Sequence, residues 1–335
     1  MAAAPPIRIG VMGCANIARR SVIPAILAVP ELRLAGIASR SKEKGEEFAR
    51  SFGCAHLGDY QDLLDRPDID AVYMPLPTGL HAEWAAKALR AGKHLLVEKS
   101  LAASFAEAHG LVALAREHRR VMMENYMFQY HTQQAVVQQL IRDGLGEIRL
   151  FRATFCFPPL SAGNFRYDQA LGGGALLDAG GYPLKACQVF MDGDIQVLSA
   201  CLNDSADHVD IWGGAMLSAT SCGIRIPLQI AFGFDQFYQC GIEVIGQRGR
   251  LTTFRTFTAG EGVVPTALLE TPGQRREIQL PVDNHFIAIL KEFCRRVHTD
   301  DVETPCAENL CQARLQDQVR RRSAQPKETA PCPPN

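Results

Sequence analysis

The chain has no Cys-x-x-Cys pair and no Cys/His cluster, although eleven cysteines are scattered along its 335 residues. That scatter argues against structural zinc and against a disulfide framework, and it suits reduced thiols in the cytoplasm. No metal is expected. No apolar run approaches the length that crosses a bilayer. The opening Met-Ala-Ala-Ala-Pro-Pro lacks the basic and apolar segments of a secretory signal. Neither sign of charge is in surplus. The net charge of −1 gives no electrostatic reason to expect nucleic acid or an anionic membrane as a partner. Internal repeats are also missing.

What remains is an ordinary globular composition, 47% hydrophobic and 21% charged. A length of 335 residues exceeds what one compact core usually holds, so two domains are expected. The first third alternates strand and helix patterns. Strands are expected at Ile7–Met12, Leu32–Ala38, Ala71–Met74, His94–Val97 and Val121–Glu124, with helices between them. Repeated βα units build a doubly wound parallel sheet of the Rossmann type. Beyond Asn125 strands dominate, from Glu147 to Thr253, and two helices follow, near His285–Val297 and Ala307–Arg321. The fold class is therefore α/β: a nucleotide-binding domain over 1–124, then an α+β domain with a large, mostly antiparallel sheet over 125–322. The Pro-rich polar tail over 323–335 is expected to be disordered.

Gly10-Val-Met-Gly13-Cys14-Ala15-Asn16-Ile17-Ala18 joins the first strand to the first helix. A tight turn there brings a dinucleotide pyrophosphate to a helix N-terminus. Alanine replaces the second and third glycines of the usual fingerprint, and Ala15 and Ala18 still permit close approach. The second strand ends without the acidic residue that would hold the ribose hydroxyls of NAD. Ser39 and Arg40 stand there, with Lys44 a turn later, and they suit a 2′-phosphate. NADP(H) is the expected cofactor.

The run His94-Leu-Leu-Val-Glu98-Lys99-Ser100 carries a buried strand straight into a charged pair at the carboxyl edge of the sheet, where ligands bind. An ammonium partly withdrawn from water there can give up a proton. Farther on, Asp178 and Tyr182 are four residues apart and share one helix face, behind three glycines and before Pro183. A tyrosine hydroxyl can polarise a carbonyl or relay a proton. Arg20 could reach a nucleotide phosphate or simply lie exposed. Tyr60 could hold a substrate hydroxyl or pack under the sheet edge.

With these landmarks in order, the chain resembles the glucose–fructose oxidoreductase and inositol dehydrogenase family, Gfo/Idh/MocA, over nearly its whole length. The landmarks are the Gly13-to-Ala18 turn, Pro75-Leu-Pro-Thr-Gly-Leu-His81, Glu98-Lys99, and Gly172-Gly-Gly-Ala-Leu-Leu-Asp-Ala-Gly-Gly-Tyr182-Pro183. Within the family it looks most like NADPH-dependent 3-ketoreductases acting on nucleotide-linked keto-6-deoxyhexoses. The hints are the turn, Glu124-Asn-Tyr-Met-Phe128, and tyrosine rather than histidine at position 182.

The resemblance implies that Lys99 is the proton donor, that Tyr182 assists, and that Leu76, His81 and Glu98 line the cofactor pocket. It implies that Asp178 and Arg166 bind substrate, a small nucleotide sugar, and that the chain forms a homodimer or homotetramer. Two alternatives stand beside it: an NADP-dependent aldose, inositol or dihydrodiol dehydrogenase, and a non-catalytic NADP-binding sensor. Two positions depart from the family. Ser100 stands where proline is usual, which would leave the lysine loop less restrained. Lys185 replaces a frequent acidic residue, which puts that acid's hydrogen bonds in doubt.

Overall fold

The structure, a computed structural model, describes residues 5–204, 209–221 and 223–325. The first sheet contains β1 (Ile7–Met12), β2 (Leu32–Ala38), β3 (Ala55–His56), β4 (Ala71–Met74), β5 (His94–Val97) and β6 (Met122–Glu124). Its order is β3-β2-β1-β4-β5-β6 and every pairing is parallel. Strand order reverses direction between β1 and β4, so the crevice at their carboxyl ends is the ligand-binding place of such a sheet.

The connecting helices are α1 (Ile23–Ala28), α2 (Lys42–Ser51), α3 (Tyr60–Leu64), α4 (His81–Arg90) and α5 (Phe105–Glu117). A π-helical turn, Ala18–Val22, leads into α1. Local chemistry sets their starts. The Ser104 hydroxyl accepts from the Glu107 N–H, and the Glu107 carboxylate accepts from the Ser104 N–H, so α5 begins with a capping box. The two-residue β3 escapes sequence reading because Ala55-His56 shows no apolar alternation.

The chain then forms α6 (Gln133–Gly144), β7 (Ile148–Cys156), α7 (Gly181–Phe190), β8 (Asp194–Asp204), β9 (Asp210–Ser221), β10 (Ile224–Gly233), β11 (Gln239–Gly246) and β12 (Arg250–Phe254). The strands β13 (Thr266–Thr271) and β14 (Gln274–Gln279) and the helices α8 (His285–His298) and α9 (Glu303–Ser323) complete it. The eight strands order as β14-β13-β12-β11-β7-β10-β9-β8, antiparallel throughout except for β7 with β10. The last two strands also go unread in the sequence: Thr-Ala-Leu-Leu-Glu-Thr is short and lacks apolar alternation, and Gln-Arg-Arg-Glu-Ile-Gln carries no apolar face. Helix α7 packs on β7 and β10 so closely that a Cβ on Gly180 would meet the Phe232 ring at 3.0 Å.

Helix α9 ties the two sheets together. Asn309 Nδ2 donates to the Met122 carbonyl beside β6, and Ser323 Oγ accepts from Leu202 N–H on β8. Ser323, expected in a disordered tail, thus closes the last helix. The rest of that tail from residue 326 lies outside the described residues. No helix among the described residues is long and apolar enough to cross a membrane.

Burial of imidazoles gives the fold a predicted acid sensitivity. Burial lowers His94 and His285 from 6.5 to about 4, and lowers His81 and His131 in the same direction. The unfolded chain therefore binds more protons between pH 6.5 and about 4, and stability falls as pH falls through that window. For His94 and His285 the full drop is worth about 3 kcal/mol per ring. Glu124, Glu98 and Asp210 run the other way, because burial raises all three carboxyls, Glu124 to about 7, so their contribution is lost as pH rises. The four lowered histidines outnumber these three carboxyls, so urea midpoints should decline from pH 6.5 to 4. His285→Gln should flatten part of that slope.

Candidate active site

The turn after β1 needs glycine at one position. Gly13 has a φ of +115°, and a Cβ there would meet Leu76 Cδ2 at 3.1 Å. Gly13, Cys14 and Ala15 face Ser39, Arg40 and Lys44 across a groove of about 510 Å³. Ser39 is buried at the end of β2, and its hydroxyl accepts from Ser41 N–H. Arg40 is exposed with its guanidinium uncommitted to any carboxylate among the described residues. A backbone cradle with adjoining cations and no acidic residue is a fit for a dinucleotide carrying a 2′-phosphate.

A second cleft of about 460 Å³ continues from the same turn. Cys14, Ala15, Asn16, Ile17, Lys44 and Leu76 line it together with Glu98, Lys99, Arg166 and Asp178. Glu98 is placed by three adjacent strand ends. Its Oε1 accepts from Tyr73 Oη on β4 at 2.8 Å and from Asn125 Nδ2 just past β6 at 2.6 Å. Burial raises the Glu98 carboxyl, and these two bonds oppose the rise.

Lys99 projects from the same edge, its side chain 12% exposed. Its Nζ meets Asp178 Oδ1 at 2.6 Å and donates to the Asp178 carbonyl at 2.7 Å. An ammonium has three N–H groups, so one is left for a ligand. Asp178 also faces Arg166, with Nε 2.7 Å from Oδ2. Burial alone would raise the Asp178 carboxyl, but the charges of Lys99 and Arg166 bring it below the usual value. Asp178 lies in a π-helical turn, Leu176–Gly180, whose Leu176 N–H donates to Asp210 from β9.

Tyr182 is placed differently from the sequence expectation. Its ring, not its hydroxyl, faces Lys99, with Nζ 5.3 Å from the ring centroid. The ring lies edge-on to Tyr126 and Phe155, and the hydroxyl lies 4.0 Å from the Met127 sulfur. Burial raises this phenol well above 10, and the negative charges of Glu98 and Asp178 add to the rise.

His81 departs from its expected place, while Tyr60 and Arg20 fall on the second of the two readings given for each, packing and exposure, and outside the Lys99 cleft. His81 does not line the pocket. It is 0% exposed, and its ring sits between the carbonyls of Leu76 and Ser100, each 2.8 Å away. A neutral imidazole carries one N–H, so the ring donates to one of these two carbonyls and packs against the other. Tyr60 borders the Ser39–Arg40 groove, not the Lys99 cleft, and packs edge-on against Trp84. Arg20 is exposed and lies outside both sets of lining residues.

Both family departures also look different in three dimensions. Ser100 is 1% exposed and hydrogen-bonded through both its hydroxyl and its carbonyl, so the loop is well restrained without proline. The Lys99–Ser100 peptide bond is cis. Lys185 is buried, its Nζ 5.6 Å from the Tyr126 ring centroid, and its charge acts on Glu124. Sequence reading missed Thr78, Asn164, Phe165, Gly172 and Gly173 as cleft residues. The glycine run at 172–174 was a usable signal for the last two, whereas Asn164 and Phe165 carry no spacing that marks them.

Known proteins match this arrangement. Residues 7–126 match an oxidoreductase family with an NAD-binding Rossmann fold, and residues 134–252 match the GFO/IDH/MocA C-terminal domain. The chain is 40% identical over 319 residues to a dTDP-3,4-didehydro-2,6-dideoxy-α-D-glucose 3-reductase of Actinomadura kijaniata, covering 95% of this chain and 96% of that one. A reductase of the same name from Streptomyces violaceoruber is 41% identical, covering 87% and 85%. The solved structure of KijD10, a 3-ketoreductase from Actinomadura kijaniata in complex with NADP and TDP-benzene, aligns with a TM-score of 0.90 at 39% identity, over 95% of this chain and 98% of that one. The paired domain matches and the near full-length identity make this chain a member of the Gfo/Idh/MocA oxidoreductase family.

Proposed function

We propose that the chain reduces the C3 keto group of a dTDP-linked 3,4-didehydro-2,6-dideoxyhexose with NADPH. The observation that carries this reading is the Lys99–Asp178 pair, set in the same cleft as the Gly13 turn. Relatives near 40% identity that act on such sugars support the substrate class. Residues 1–124 hold the cofactor on this reading, and residues 125–322 supply the substrate wall.

Gly13 to Ile17 receive the pyrophosphate, and Ser39, Arg40 and Lys44 receive the 2′-phosphate. Bound NADPH supplies the hydride to the carbonyl carbon. Lys99 gives a proton to the developing alkoxide oxygen, which the low-dielectric cleft would otherwise leave uncompensated. Asp178 holds the ammonium in position. Arg166 shares that carboxylate and contacts the substrate, and Tyr182 braces Lys99 through its ring.

NADPH oxidation with dTDP-3,4-didehydro-2,6-dideoxyglucose tests the reaction, with free aldoses as controls. Activity with free sugars alone would select the aldose dehydrogenase reading. Cofactor binding with no turnover on either panel would select the sensor.

Arg40→Ala should raise the KM for NADPH about tenfold, the scale of one charged phosphate contact, and leave that for NADH nearly unchanged. Steady-state kinetics with both cofactors reads this directly. We extend the reading to assembly and compartment. Leu198, Trp212 and Met216 are exposed on β8 and β9, and this sheet face joins copies into a homodimer or homotetramer. Light scattering decides the point. Cysteines scattered along the chain with no paired spacing suit reduced thiols in the cytoplasm.

A further inference from the structure

We infer that Ser100 and Gln316 are positioning residues that hold Lys99 on its carboxylate, an assignment that rests on Lys99 being the proton donor. Lys99 and Ser100 are consecutive, and they donate to consecutive carbonyls of the π-helical turn. Lys99 Nζ donates to the Asp178 carbonyl at 2.7 Å, and Ser100 Oγ donates to the Leu177 carbonyl at 2.9 Å. The serine has thereby committed its only proton. Its oxygen accepts from Gln316 Nε2 at 2.8 Å, so the amide orientation of Gln316 is fixed by the serine.

Gln316 comes from α9, more than two hundred residues along the chain. One turn earlier on the same helix, Gln312 Nε2 donates to the Gly181 carbonyl at 2.9 Å and to Tyr126 Oη at 3.2 Å. The Tyr126 hydroxyl in turn lies 3.5 Å from Ser100 Oγ. The last helix thus grips the lysine loop and the turn bearing Asp178 at once. Ser100, Gln312, Gln316 and Tyr126 are all buried, so water cannot replace any partner that is lost. Proline at position 100 would offer neither the donor to Leu177 nor the acceptor for Gln316. The serine substitution and the two glutamines therefore form one device. It does by hydrogen bonding what ring rigidity would otherwise do for the loop.

Ser100→Ala, Gln316→Leu, the double variant and Lys99→Ala test this by single-turnover NADPH oxidation and steady-state kcat and KM. NADPH affinity by fluorescence and thermal midpoints serve as controls, with all assays run well below each midpoint. Displacing a catalytic group by about 1 Å can cost roughly a hundredfold in rate. Ser100→Ala should therefore lower kcat by about 10- to 100-fold while KM and NADPH affinity stay within about twofold. Gln316→Leu should show the same signature more weakly, and the double variant should be no worse than Ser100→Ala. The inference is overturned if Ser100→Ala and Gln316→Leu keep kcat within twofold while Lys99→Ala lowers it by about a thousandfold. Retained turnover in Lys99→Ala would overturn the donor reading itself, and this inference with it.

Discussion

Lys99→Ala lowers kcat by about a thousandfold, within the range that a positioned proton donor contributes. NADPH affinity should stay near that of the parent protein, since Lys99 is not among the residues lining the Ser39–Arg40 groove. The variant also folds normally. Lys99 and Arg166 share one carboxylate, so removing the lysine leaves Asp178 and Arg166 as a balanced pair. Stopped-flow NADPH oxidation beside fluorescence titration of the cofactor separates the two effects. Survival of turnover in this variant, with loss only in Tyr182→Phe, would move the donor role to the tyrosine. The buried phenol, raised well above 10 and pointed at Met127, argues for the lysine.

Asp178→Ala behaves in the opposite way with respect to stability. It strands two cations in a site where the Lys99 side chain is 12% and the Arg166 side chain 28% exposed. Breaking a buried pair by removing one partner costs about 3–5 kcal/mol, because the remaining charge is uncompensated. The partial exposure of Arg166 places the expected loss at the lower end, about 3 kcal/mol. Chemical denaturation reads this as a reduced midpoint with an unchanged slope. Turnover should fall by about a hundredfold as well, through misplacement of the ammonium. The pH dependence follows from the lowered Asp178 carboxyl. Its contribution is full at neutral pH and is lost only as pH falls below the ordinary value of 3.8. The variant's deficit should therefore be constant from pH 5 to 8 and should shrink only in acid.

Much of the first sheet is legible in the sequence because its strands are short apolar runs bounded by turn residues. Ile7–Met12, Leu32–Ala38 and Ala71–Met74 match the observed strands residue for residue. The β14 strand is not legible, since an exposed edge strand need bury nothing and its residues are almost all polar. The same division holds at the site. Lys99, Glu98 and Asp178 could be placed because strand ends and helix spacing fix which edge a residue occupies. The inward turn of His81 and the sideways placement of Tyr60 depend on rotamers chosen by distant packing partners, Ser100 for one and Trp84 for the other. Ser100 shows the limit most clearly. As a local substitution it reads as lost rigidity, and only the return of α9 to the lysine loop supplies its partner.

The central claim is that Lys99 protonates a keto sugar carried on a nucleotide. The most direct measurement mixes the NADPH-loaded protein with dTDP-3,4-didehydro-2,6-dideoxyglucose in a single turnover, at saturating substrate, for the parent and for Lys99→Ala. The account predicts rapid loss of NADPH absorbance with a C3 alcohol as product in the parent, and a rate about a thousandfold lower in the variant at equal cofactor occupancy. Equal rates in the two proteins, or NADPH oxidation with free sugars only, would contradict it.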